Sequence, residues 1–185
     1  MKRKLVLLLL LICATTLVFS QKKAPAIKGF SKDEEGEAKK EAAAYFKSMN
    51  YTQAQAIYER LVVTDPKDVD YSYKLSLIYM YTNTSKAKAV PLMEYVVNAN
   101  SKNIPKDAMF DLGRAYFYAG LFDKALETYE KYRVEKHGTI DSKIKFDLWV
   151  KWATNAKELT THPIEVSYEN MGKAINSITR SRAHV

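Results

Sequence analysis

Cysteine is almost missing from this 185-residue chain, with Cys13 the only one. One thiol can build neither a disulfide scaffold nor a cysteine-ligated zinc site. Histidine is scarce as well: His137, His162 and His184 read as a helix end, a loop and a tail. There is no H-E-x-x-H, no G-x-S-x-G and no phosphate-cradling glycine loop. The sequence therefore names no catalytic residue, no metal ligand and no cofactor, and an enzyme is not expected. Strand-like alternation is missing from about residue 38 to 160, which points to an all-α fold.

What is present excludes a wholly disordered chain: 47% of residues are hydrophobic, and there are 13 Tyr, 7 Phe and 2 Trp. Lys2, Arg3 and Lys4 precede an apolar run from Leu5 to Ile12 that extends to Phe19. A basic start, a short apolar stretch and small residues near a cut site make a secretory signal, with cleavage expected after Ser20. The run is short for a membrane span, which needs about 20 apolar residues, so an uncleaved anchor is the lesser alternative. Cys13 follows Ile12, where a lipoprotein signal has Gly, Ala or Ser, and so is not read as a lipidated cysteine.

The formal charge of +8 falls to +5 once residues 1–20 are set aside, because they hold three bases and no acid. Residues 131–185 hold ten bases and six acids, so most of the excess lies there. A bias this mild is not a phosphate-tracking stripe, and no nucleic acid is expected as partner.

After a Lys-, Ala- and Pro-containing lead-in, Ser31 is placed to cap the first helix. Ala42, Tyr45, Phe46 and Met49 share one face, and Ala54, Ile57, Tyr58 and Leu61 share another. Tyr45-x5-Tyr51-x2-Ala54-x3-Tyr58 recurs as Tyr116-x5-Phe122-x2-Ala125-x3-Tyr129, 71 residues later. Leu75, Tyr79, Ala89 and Met93 form a looser copy between them. Such a period describes stacked helix pairs, in which a small Ala allows close approach and aromatics fill the gap to the next pair. Ile144, Leu148, Trp152 and Ala156 step along one face of a further helix, expected from Ile140 to Leu159, with Trp149 and Trp152 capping the array.

These residues resemble the tetratricopeptide-repeat family. Met109, Leu112, Gly113, Tyr116, Gly120, Phe122, Ala125 and Tyr129 stand at its signature positions, and Pro66 ends the first copy. Tyr132 and Ser76 depart from it, since small residues are usual at Tyr132 and Gly or Ala at Ser76. The resemblance covers about residues 35–137 and implies an α-solenoid of three helix pairs plus a C-terminal capping helix and a short extended tail. It also implies a concave groove lined by Lys39, Ala43, Phe46 and Lys47, by Tyr73, Leu77, Met80 and Tyr81, and by Phe110, Arg114, Phe117 and Tyr118. Aromatic faces with a few cations suit a peptide or a helix. The family's carboxylate clamp is not reproduced: Ala43 stands where it has Asn, and Asp107 and Asp111 replace cations. The groove is expected either to receive a protein partner or to be covered by the chain's own last helix or by a propeller.

Asp65, Asp68 and Asp70 could bind calcium weakly but lack the spacing of a calcium loop, and read instead as a solvated turn and helix cap. Glu127 and Glu130 beside Lys124 and Lys131 read as a salt-laced exposed face. Ile164 to Tyr168 alternates as a strand would. The run Asn155-Ala156-Lys157-Glu158-Leu159, Pro163 to Val166, Glu169 to Gly172 and Ile175 to Ser177 is similar to a junction in Bacteroidetes envelope proteins. In those, tetratricopeptide repeats precede a PD40-type β-propeller and an OmpA-like domain; one branch tethers type IX secretion machinery to peptidoglycan. The similarity stops at Ser177. Some codon choices for Ile178 to Ser181 read one nucleotide earlier as Asp-Tyr-Ser-Glu, which would suit the family, so a frameshift or early stop is expected.

The expected organisation is a signal at 1–20, a flexible lead-in at 21–34, a repeat domain with its capping helix at 35–160, and a tail at 161–185. The expected function is an exported protein–protein scaffold in the periplasm or at the outer membrane, touching membranes only through envelope partners. A freestanding periplasmic adaptor, or an accessory to a cell-wall enzyme, is the alternative.

Overall fold

A computed structural model describes residues 26–82, 85–99, 101–136, 140 and 145–163. The expected signal and the strand-like tail from Ile164 lie outside the described residues, as does Ile144. The described residues form seven α-helices and one short 3-10 helix, with no strand. The helices are α1 (Lys32–Lys47), α2 (Tyr51–Thr64), α3 (Val69–Tyr81), α4 (Ala89–Asn98), α5 (Ala108–Tyr118), α6 (Phe122–Lys136) and α7 (Phe146–Thr161). The 3-10 turn, Lys86–Lys88, leads into α4. All-α architecture with three helix pairs and a last helix is what the periodicity predicts. The chain divides into two compact units, Met1–Tyr71 and Ser72–Val185, with the boundary inside α3.

In the first unit, Ser31 begins α1 as expected: its N–H and its hydroxyl both donate to the Glu34 carboxylate, at 2.9 and 2.8 Å. That satisfies a donor the helix itself cannot use. The α1 and α2 helices pack through Ala38 and Ala42 against Ala54, Tyr58 and Leu61, all buried. Phe46 stands edge-on to Tyr51 and Tyr58, with centroids at 5.6 and 6.4 Å. Met49, expected on the apolar face, is instead 72% exposed with φ of 59°. It ends α1 in the left-handed region, and the next N–H, of Asn50, returns to the Tyr45 carbonyl at 2.9 Å. The lead-in is held as well. Phe30 N–H donates to Thr64 Oγ1 at 2.7 Å, Arg60 lies 3.6 Å above the Phe30 ring, and Arg60 Nε donates to the Lys28 carbonyl at 3.0 Å.

In the second unit, α4 packs on α5, α5 on α6, and α6 on α7. Between α5 and α6 a small residue faces an aromatic. A Cβ built on Gly113 would lie 2.6 Å from Tyr129 Cδ1, so α5 approaches α6 more closely than any side chain there would allow. Tyr132, the departure from the repeat pattern, is buried, and its hydroxyl donates to Asp107 Oδ1 at 2.7 Å. A larger residue fits there because its polar end has a partner, as buried tyrosines require.

The last helix differs from expectation in its start and in its face. It begins at Phe146, not Ile140, and buries Phe146 and Ala153, whereas Leu148 and Trp152 stay 37% and 42% exposed. The reason is an aromatic nest. Phe146 has ring centroids 6.2, 5.8 and 5.7 Å from Phe110, Tyr129 and Tyr132, and these select it over Leu148 as the inward residue.

Candidate functional site

The second unit brings the expected groove residues of α3 and α5 together around one carboxylate. Tyr73, Leu77 and Tyr81 follow one another at intervals of four on α3, which sets them on a single helix face. Asp111 and Arg114 are three apart on α5 and also share a face. Tyr73 donates its hydroxyl to Asp111 Oδ2 at 2.6 Å, and Arg114 Nη1 donates to Oδ1 at 2.8 Å. Both charged side chains are largely covered, Asp111 at 9% and Arg114 at 13% exposure.

Burial pushes the Asp111 carboxyl above its ordinary range, and the bonds from Tyr73 and Arg114 oppose that push. Burial would also lower the Arg114 pKa, but Asp111 and Tyr81 outweigh it and hold the guanidinium charged. The Tyr73 hydroxyl is pushed up by burial and then by the carboxylate beside it. The three groups thus form a buried, hydrogen-bonded ion pair with a phenol as third member.

Aromatic rings surround this pair. The Arg114 guanidinium lies 5.5 Å from the Tyr81 centroid and 5.1 Å from that of Trp149. Trp149, from α7, meets Phe110, Phe117 and Tyr118 edge-on at 6.3, 5.5 and 5.8 Å. Lys86, in the 3-10 turn, sets its ammonium 4.2 Å over the Tyr118 ring. Leu77 and Phe110 are buried, so their apolar surface goes into packing, while Phe117 and Tyr118 are half-buried and Tyr81 is 44% exposed. The third-copy part of the expected groove is thus partly roofed by the chain's last helix, through Trp149.

The other groove candidates lie in the first unit. Lys39 is exposed, with its ammonium 4.9 Å over the Tyr71 ring. Phe46 is half-buried, and Lys47 is exposed in the last turn of α1, where a cation suits the helix dipole. The sequence pattern does not mark Lys86, and it gives Asp111 only as an acid standing where the family's clamp has a cation. Lys86 carries no periodic signal because it belongs to a turn, and nothing local in the sequence links Asp111 to a tyrosine 38 positions away.

The acidic turn behaves as a cap, with Asp68 Oδ1 accepting the Tyr71 N–H at 2.9 Å. Among the described residues no three His, Cys, Asp or Glu side chains are grouped to hold a metal ion, and no helix is long and apolar enough to cross a membrane. The exposed salt-laced face of α6 is present, with Lys131 and Glu127 paired at 2.8 Å.

A family model described as tetratricopeptide repeat matches residues 40–68 and 107–135. The chain carries tetratricopeptide repeats. The matched segments are the helix pairs α1–α2 and α5–α6, the same two copies that share the 71-residue recurrence. Among solved structures, the tetratricopeptide fold is matched by the crystal structure of the Sgt2 TPR domain from Aspergillus fumigatus. Identity is 21% and the TM-score 0.51, over 84% of this chain and 97% of that one. No curated protein matches the sequence.

Proposed function

We propose that this chain is a non-catalytic protein–protein interaction scaffold whose groove in the second unit takes a peptide or a helix of a protein partner. One observation carries the reading: Tyr81 is 44% exposed beside a guanidinium already fixed by Asp111, with Lys86 over Tyr118. Aromatic and arginine anchors of this kind are enriched where interfaces hold their partners most tightly. Fixing Arg114 in advance lowers the ordering cost of binding. The tetratricopeptide fold supports the same conclusion, because helix pairs stacked in this way present an extended face.

The basic, apolar N-terminal run supports export, and with it a place in the periplasm or at the outer membrane. The similarity of residues 155–177 to the repeat–propeller junction of envelope proteins supports a role in a secretion or peptidoglycan-associated assembly. A freestanding periplasmic adaptor is the second reading.

Capture from envelope extracts tests the proposal. Wild-type protein should retain a defined set of envelope proteins, and a Tyr81→Ala/Lys86→Ala variant should lose it while melting within a few degrees of wild type. Unchanged capture by that variant would remove the groove from the proposal.

A further inference from the structure

The last helix carries two apolar stripes, and α6 with α5 uses only one. Phe146, Trp149 and Ala153 turn inward. Leu148, Trp152 and Leu159 remain 37%, 42% and 56% exposed. At 3.6 residues per turn Leu148, Trp152, Asn155 and Leu159 fall within about 60° of one another and run about 16 Å along the helix. Three large exposed apolar side chains in one line are not scattered surface residues.

The charges beside this stripe say what would fit it. Of the charged side chains on α7, Asp147 lies 3.8 Å from Arg133, and Lys157 pairs with Asp123 at 2.5 Å, both on α6. Lys151 and Glu158 are exposed, take part in neither pair, and flank the stripe on the same side. The two ends of the stripe match. Laid antiparallel against another α7, Leu148 meets Leu159 of the second copy and Trp152 meets Asn155. In that register Lys151 lies two residues, about 3 Å along the axis, from the point opposite Glu158 of the second copy. That is within reach of its long side chain, and it is so twice over because a two-fold axis maps each flank onto itself.

We propose that α7 is a self-association surface, on which two copies of this chain pair antiparallel through Leu148, Trp152 and Leu159. The occupant is a second copy because the leucines at the two ends of the stripe and the flanking charges complement themselves across a two-fold axis. One helix per side gives an area near the lower limit for specific association, so the dimer is a weak one that forms in the micromolar range.

Sedimentation equilibrium of the chain purified from an exporting host, across low to high micromolar concentration, tests this. Wild type should pass from monomer to dimer. Trp152→Ala should weaken the dimer about 30-fold or more, since truncating a buried interface tryptophan costs that much. Lys151→Glu should weaken it about tenfold, because two symmetric ion pairs become like-charge pairs. Lys151→Glu combined with Glu158→Lys should restore wild-type association, a rescue that a folding defect cannot imitate. A monomer at every concentration would overturn the proposal, as would a dimer indifferent to the charge swap. So would Trp152 fluorescence shielded from acrylamide in the monomer and unshielded on removing residues 164–185, because the occupant would then be the chain's own C-terminal segment.

Discussion

Tyr73 on α3 and Asp111 on α5 are joined by a 2.6 Å hydrogen bond, although 38 residues separate them. The same carboxylate holds Arg114, so one phenol, one carboxylate and one guanidinium tie two helices of the second unit together. Losing the phenol leaves a buried charged oxygen short of a donor. Tyr73→Phe should therefore destabilise the fold by about 1–3 kcal/mol in chemical denaturation. In an Asp111→Asn background the same change should cost clearly less, since the charged acceptor is gone. Equal costs in the two backgrounds would show that the bond is not an energetic link.

At Gly113 two effects compete. Alanine gains about 1 kcal/mol of helix propensity over glycine. Against that, its Cβ would press on a Tyr129 ring that Phe110 and Phe146 hold with centroids at 5.7 and 5.8 Å. Overpacking against a ring unable to yield costs about 1–3 kcal/mol and wins. Gly113→Ala should lower the melting temperature, and a rise would mean that Tyr129 can swing aside.

The two matched copies end their first helices in the same left-handed turn, one with Gly120 at φ 76° and the other with Met49 at φ 59°. Leu121 N–H returns to Tyr116 just as Asn50 N–H returns to Tyr45, both at 2.9 Å. A side chain in this region costs about 1–2 kcal/mol, and glycine avoids most of it. Met49 is exposed and packs little, so Met49→Gly should stabilise the protein by about 0.5–1 kcal/mol. Gly120→Met should do the opposite, and equilibrium denaturation reads both.

Alkali should unfold the protein through its tyrosines. Burial first, then nearby carboxylates, pushes Tyr58 and Tyr116 up to about 12 from the ordinary 10.0. The folded state therefore holds these protons more tightly than the unfolded one. Stability is undiminished below about pH 10 and falls as pH rises from about 10 through about 12. Tyrosinate absorbance and helical circular dichroism should change together in that window. Full ionisation with the helices intact would contradict this burial.

The repeat was legible because Tyr45, Tyr51, Ala54 and Tyr58 return at identical spacing, and a packed helix pair fixes both the spacing and the small residue. The capping of α1 by Ser31 with Glu34 was also legible, being local. The inward face of α7 was not, since two apolar stripes lie on that helix and periodicity does not rank them. Only the nest of Phe110, Tyr129 and Tyr132 decides for Phe146. At the groove the rings and Arg114 were expected. The roof of Trp149 over Phe117 and Tyr118 and the placement of Lys86 depend on tertiary approach, which one-dimensional spacing does not carry.

The clasp of Arg60 and Thr64 on Lys28 and Phe30 has a mechanical consequence. A pull applied through residue 26 meets the last turns of α2 before it reaches the first turn of α1. The load enters the helix pair from the side, across three hydrogen bonds, the third from Arg60 Nη2 to the Gly29 carbonyl at 3.5 Å, and a stacked guanidinium, and α1 is spared unwinding from its end. A helix pair held this way takes tension from its N-terminal side in shear.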